Sequence, residues 1–207
     1  MDESVRNAMS RWPDVPAVYG YIGVNRRGEF LLQGHIVTHE RTREFIHRNY
    51  TMDEHGRAYF QNGPQRAYAD LEATPWIYRV MDDGSLRTHT ERPASELRSA
   101  TITTAGEILL VTEHGPGMVH AQDLDQLSGC LTTPEPDLAT ALESLQAREH
   151  GPVMLELPAG KALLGIVDEN DLPSQFAYTQ TPQPAAGETR AATSSYRPAW
   201  LPDRETT

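Results

Sequence analysis

An α+β fold, mainly antiparallel β-sheet built from hairpins, is predicted by three features of the 207-residue sequence. Strand-like runs are separated by tight-turn signals at NRRG (25–28), NGP (62–64), DDG (82–84) and TAG (104–106). Helical apolar spacing is confined to a few short stretches. The 38% hydrophobic and 23% charged residues are ordinary globular usage, enough for a core over most of the chain.

Residues 1–16 read as an N-terminal extension. The opening MDESVRNAMSRWPD is acidic and lacks the apolar stretch of a signal peptide, and no run approaches the ~18 apolar residues of a membrane span. A cytoplasmic protein with no membrane partner is therefore expected. Residues 17–178 read as the α+β domain, open to division into two sub-units near 98, and residues 179–207 as a disordered tail rich in Pro, Thr and Ala.

Within the domain, 18–37 (VYGYIGVNRRGEFLLQGHIV) is a hairpin around NRRG. A short helix follows near 40–50, where Glu44 and Arg48 stand four apart and Phe45 and Ile46 give a narrow apolar face. RAYF, RAYADL, WIYRVMDDGSLRTHT and LRSATITTAGEILLVTE then read as antiparallel strands. Helices are expected near 123–131, with Asp123 as cap and Gln126 three later, and near 137–149, with Leu138, Leu142 and Leu145 on one face. VMLEL and ALLGIV resume the strand pattern. RGEFLL (27–32) and AGEILL (105–110) recur 78 residues apart after a strand and a tight turn, through duplication of a hairpin unit or by chance.

The net charge of −11 is unevenly spread. Residues 1–98 hold 13 basic groups and 14 acids, whereas 99–207 hold 5 and 15, so the second half carries 5 − 15 = −10. That field repels nucleic acid, and no nucleic-acid partner is expected. The single cysteine, Cys130 in LSGCL, excludes an internal disulfide and reads as a small buried apolar residue. Lys161, the only lysine, sits in the turn-like PAGKA, where a solvated role is expected.

Catalytic and metal patterns find little local support. HExxH, GxSxG, GxGxxG and the P-loop are all missing. The eight histidines fall between 35 and 150 without a well-spaced ligand pair: His35 and His39 lie in a strand context, where four residues span about 13 Å. The acid pairs Asp53-Glu54 and Asp82-Asp83, and DENDL (168–172), sit in turns that account for them by solvation. No cofactor, catalytic residue or metal ligand is assigned.

The segment YFQNGPQRAY (59–68) carries the candidate site. Folding it about Asn62-Gly63 sets Tyr59 opposite Arg66 and Arg57 opposite Tyr68. Ala58, Phe60, Ala67, Ala69 and Leu71 then look inward, while Arg57, Tyr59, Arg66, Tyr68 and Asp70 look outward. Pro64 would occupy the position whose amide closes a type I′ turn and has no such amide, which predicts a wider loop with the Gln61, Asn62 and Gln65 amides free. Those amides either cap their own loop or, with Arg66 and the flat faces of Tyr59 and Tyr68, form a recognition tip that Trp76 would extend.

The order RNY…FQNGPQR…TPW resembles an uncharacterised bacterial family, a domain of unknown function. The resemblance covers about residues 18–178, is strongest around 48–80, and carries no catalytic residue across. The expected function is thus a non-enzymatic cytoplasmic module binding a protein or small polar ligand through the 57–70 hairpin face. The alternatives are an enzyme with a dispersed His/carboxylate site using His35, His39 or His47 as base, and a metal sensor.

Overall fold

In the computed structural model of the chain, the described residues are 1–12, 14–135, 137–147, 153–184, 186, 192–194, 196 and 198–200. Contacts divide the chain into two compact units, Met1–Pro75 with Ala177–Thr207, and Trp76–Phe176. The division falls at 75/76 and not near 98, because Arg98 lies inside a long strand, Leu97–Thr103. The expected α+β class holds, with strands dominating over short helices.

In the first unit, helix α1 (Glu3–Arg11) occupies the expected extension, burying Val5. Strand β1 (Val18–Val24) turns at Asn25–Gly28 into β2 (Phe30–Leu32), followed by β3 (His35–Ile36). The turn forms because the Asn25 carboxamide oxygen accepts the Arg27 and Glu29 amides at 3.0 and 2.9 Å, while Gly28 takes φ +75°. Helix α2 (Glu40–Asn49) is capped by His39, whose ring nitrogen accepts the Thr42 amide, and has Glu40 in its first turn and His47 and Arg48 in its last. Strands β4 (Tyr50–Met52), β5 (Ala58–Asn62) and β6 (Gln65–Leu71) complete the order β3-β2-β1-β6-β5-β4, with β1 and β6 parallel. Ile22, Val24, Phe30, Ile46, Tyr50, Ala58, Phe60 and Leu71 are buried; Phe45 of α2 meets Phe60 edge-on at 5.5 Å.

The second unit contains β7 (Trp76–Val80), β8 (Leu86–Thr88), β9 (Pro93–Ala94), β10 (Leu97–Thr103), β11 (Ile108–Thr112), β12 (Gly115–Val119), β13 (Leu131–Thr132), β14 (Met154–Leu157) and β15 (Gly160–Val167). Their order is β13-β14-β15-β10-β11-β12-β7-β8-β9. The pairs β10/β15 and β7/β12 are parallel, joined by connections too long for turn signals to disclose. Two details differ from the sequence expectation for 123–131. A 3₁₀ turn (Ala121–Asp123) capped by His120 precedes helix α3 (Leu124–Ser128), and Asp123 makes no side-chain cap. Its carboxylate is taken instead by Arg79, at 2.6 and 3.0 Å, and by the Val80 amide at 3.0 Å.

Helix α4 (Leu138–Gln146) starts at the Asp137 cap, and residues 148–149 of the expected helix lie outside the described residues. A further short helix, α5 (Leu172–Gln175), begins at the last residue of DENDL (168–172), whose Glu169–Asp171 form a 3₁₀ turn. Cys130 is not the buried residue expected: it is partly exposed after α3, with its sulfur 3.8 Å from the Gln126 carbonyl oxygen. Lys161 is exposed and pairs with Glu156 at 2.8 Å.

The two sheets share one connectivity. The order β3-β2-β1-β6-β5-β4 recurs as β12-β11-β10-β15-β14-β13, with the central pairs β1/β6 and β10/β15 parallel. RGEFLL and AGEILL sit at equivalent hairpins, with Gly28 at φ +75° and Gly106 at φ +86°. A histidine cap follows the third strand in both, His39 after β3 and His120 after β12.

Part of the segment expected to be a disordered tail forms structure. Ala192–Thr193 pair in parallel with Val18–Tyr19 of β1, while 185, 187–191, 195, 197 and 201–207 lie outside the described residues. Among the described residues no helix is long and apolar enough to cross a membrane.

Candidate functional site: the tyrosine and arginine face of the β5–β6 hairpin

The hairpin turns one residue later than the Asn-Gly signal implies. Asn62 pairs with Gln65, Gln61 with Arg66, Phe60 with Ala67 and Tyr59 with Tyr68. Gly63, at φ +57°, and Pro64 are therefore the two central residues. Glycine suits the first central position of a primed turn, and the closing residue is Gln65, which retains its amide, so Pro64 costs no hydrogen bond and no wider loop is needed. The face assignment survives this shift, because moving the turn by one residue displaces the partner register by two.

Both faces of this sheet region are buried, contrary to the expected open outer face. Tyr59 and Tyr68 are 7% and 4% exposed and pack with Tyr19 of β1. Tyr19 and Tyr68 stack at 4.9 Å with 15° between ring planes, and Tyr59 meets Tyr68 edge-on at 5.9 Å. The signal for Tyr19 is absent from local sequence, since it arrives through the parallel β1/β6 pairing.

Two arginines flank the tyrosines. Arg66 lies 4.2 Å over the Tyr59 ring, and its Nη1 donates to the Tyr68 hydroxyl at 3.3 Å. Arg57 lies 4.5 Å over the Tyr68 ring. Asp53, also absent from the sequence candidates, ties the cluster together. Its Oδ2 accepts from Arg57 Nε and Nη2 at 2.8 Å and from the Tyr68 hydroxyl at 3.1 Å, while Oδ1 accepts the His55 and Arg57 amides at 3.0 Å. The D-E-H-G-R spacing, an aspartate four before an arginine across a glycine turn, was its available signal.

The titration shifts follow from these contacts. Burial pushes the Asp53 carboxyl up, but the Arg57 and His55 bonds outweigh it and hold the group below its ordinary value. Burial raises Tyr68, keeping its hydroxyl protonated and donating to Asp53. Arg66 forms no ion pair among the described residues, whereas Arg57 is neutralised by Asp53. Arg66 is thus held on an aromatic mount by stacking and one neutral hydrogen bond, with the Asp53 charge acting on it through space.

The amides expected to be free have different fates. Gln61 is 1% exposed; its Nε2 donates to the Gly63 carbonyl at 3.0 Å, and its buried Oε1 has no partner among the described residues. Gln65 Nε2 donates to the Pro16 carbonyl at 3.2 Å, and Asn62 is exposed at the tip. Trp76 is no extension of a surface: it is 1% exposed in β7 of the second unit, with its indole N–H on the His114 carbonyl at 2.8 Å.

The histidines weighed as bases hold other positions. His39 caps α2, His35 is exposed on β3, and His47 lies 5.7 Å from the Phe30 ring. Among the described residues no three His, Cys, Asp or Glu side chains converge as metal ligands.

Known proteins add fold and family. The chain resembles a DUF1285 family protein from Silicibacter pomeroyi DSS-3, at 12% identity and a TM-score of 0.50, over 77% of this chain and 86% of that one. A DUF1285 family protein from Shewanella baltica OS155 is similar at 9% identity and a TM-score of 0.43, over 53% of this chain and 91% of that one. No curated protein matches. The family model DUF2944, described as "Protein of unknown function (DUF2946)", matches residues 1–183, and the chain belongs to that family.

Proposed function

We propose that the protein is a non-enzymatic module that binds a protein or small polar ligand through the β5–β6 hairpin, with Arg66 receiving an acidic group of that partner. One observation carries this reading: Arg66 is held by Tyr59 and the Tyr68 hydroxyl, yet forms no ion pair among the described residues. A guanidinium fixed by stacking loses little rotamer freedom on binding and presents unused donors to a carboxylate. Gln61, the cross-strand partner of Arg66, is buried and offers no carboxylate to the guanidinium.

The test is a thermal-shift titration of the full chain with succinate, citrate and a hexaglutamate peptide. At least one probe raises the melting temperature saturably, and Arg66→Ala removes that rise. Equal stabilisation of the wild type and Arg66→Ala by these probes, or none in either, defeats the reading.

A further inference from the structure

The start of β1 is paired along one edge by Ala192–Thr193 of the chain itself, in the manner of a bound peptide. The β1/β2 ladder runs over Ile22–Val24, with the Gln33 amide on the Tyr21 carbonyl at 2.9 Å, leaving Val18 and Tyr19 without a β2 partner. The Ala192 amide donates to the Ala17 carbonyl at 3.1 Å and the Ser194 amide to the Tyr19 carbonyl at 2.9 Å, adding a parallel strand to this edge. Strand addition of this kind supplies affinity through main-chain bonds and leaves specificity to pockets for the side chains.

The pockets here are three glycines. A Cβ at Gly20 would lie 3.4 Å from the Ser194 carbonyl oxygen, one at Gly23 would lie 3.1 Å from Cζ2 of Trp200, and one at Gly34 would overlap the Tyr196 ring. A floor without side chains thus receives the Ser194 backbone and Cβ and two aromatic rings, while the Ser194 hydroxyl accepts the Tyr196 amide at 3.0 Å. Gly23 is paired with Asp70, so Trp200 rests on the sheet face that also bears Tyr68 and Arg66.

The sheet is complete without this segment, because β1 keeps its ladders to β2 and β6. The fit is also imperfect: the Trp200 indole N–H is buried without a hydrogen-bond acceptor among the described residues, which lowers the stability of the docked state. We propose that this edge and its glycine slots are a peptide-binding groove, occupied in cis by Ala192–Ser194, Tyr196 and Trp200. Its external ligand is an extended segment of a partner protein with a serine or threonine followed by aromatic residues two and six positions on. The proposal draws on the binding reading above only in placing groove and Arg66 on one face; the slots themselves do not involve Arg66.

The test uses the full chain and a fluorescein-labelled peptide with the sequence of residues 191–204. In a Tyr196→Ala/Trp200→Ala variant the cis segment loses its anchors, and the peptide binds saturably, about tenfold or more tighter than to the wild type, where the tethered copy competes. Adding Gly23→Val to that variant abolishes binding, while Arg66→Ala leaves it. Absence of binding to the double variant, equal binding to the wild type, or unfolding of the double variant overturns the proposal. Hydrogen exchange on the wild type gives a second reading: the Ala192 and Ser194 amides exchange through local opening, much faster than those of Tyr68–Asp70. Release only with global unfolding would show an integral strand and overturn it as well.

Discussion

Arg66 stacks on Tyr59 along a diagonal of the β5–β6 ladder. The two residues are not direct partners, since Arg66 faces Gln61 and Tyr59 faces Tyr68, yet the guanidinium lies 4.2 Å over the ring. Diagonal neighbours on one face are within reach of long side chains. Arg66 is thereby drawn over an aromatic surface and brought to the Tyr68 hydroxyl, which stands between it and the Asp53 carboxylate.

The two faces of this hairpin differ in what they contribute to stability. Phe60→Ala removes a buried ring that meets Phe45, and should cost roughly 3–5 kcal/mol in urea unfolding. Arg66→Ala removes a partly exposed stack and one hydrogen bond, and should cost about 1–2 kcal/mol. Comparable losses for both would make Arg66 a structural anchor and remove its binding role.

Much of the fold was legible because its signals are local. The NRRG and TAG turns, the α2 helix and the alternation along Ala58–Asn62 follow from backbone preference and apolar period. What sequence hides is long-range pairing: β1 against β6 brings Tyr19 onto Tyr68, and Arg79 claims the carboxylate that spacing assigns to an Asp123 cap. The candidate site was legible in its residue types, not in its exposure, because strand alternation sorts side chains into faces without saying what covers each face. The tyrosines are covered by one another and by Tyr19, and Trp76 by the interior of the second unit.

The Arg79–Asp123 contact should be worth more than a surface ion pair. Asp123 is 6% exposed and also satisfies the Val80 amide, so Asp123→Ala leaves a buried amide and a cation without their partner. A loss of about 2–4 kcal/mol is expected in denaturant unfolding, with Asp123→Asn recovering part of it. A loss under about 1 kcal/mol would show the pair to be solvent-screened.

Glu113 gives the second unit an acid dependence. Burial pushes its carboxyl up, but hydrogen bonds from the Ser95 and Glu96 amides and the Ser95 hydroxyl prevail and bring it down to about 2 from 4.5. A carboxyl depressed in the folded state contributes stability that is fully present above about pH 4.5 and is lost as pH falls toward 2. With the side chain 26% exposed, the contribution is on the order of 2 kcal/mol. Melting temperature of Glu113→Gln followed from pH 6 to 2.5 should fall less steeply than that of the wild type, and parallel curves would contradict the assignment.

Gly117 is required by close approach. A Cβ there would collide with the Tyr78 ring and lie 2.8 Å from the Trp76 Cβ, both on the adjacent β7. Gly117→Ala should destabilise by roughly 1–3 kcal/mol or more, read by calorimetry, because two fully buried aromatic residues must shift. An unchanged melting temperature would mean that β7 and β12 adjust freely.

The most direct measurement of the central claim follows the Arg66 side chain itself. In a ¹⁵N–¹H NMR titration of the full chain with the hexaglutamate peptide, the account predicts a saturable shift of the Arg66 Nε–Hε resonance. The backbone amides from Gln61 to Tyr68 should move with it, and those of Trp76–Val80 should stay in place. Saturable binding that leaves the Arg66 resonance unmoved, or shifts confined to residues outside the hairpin, would contradict it.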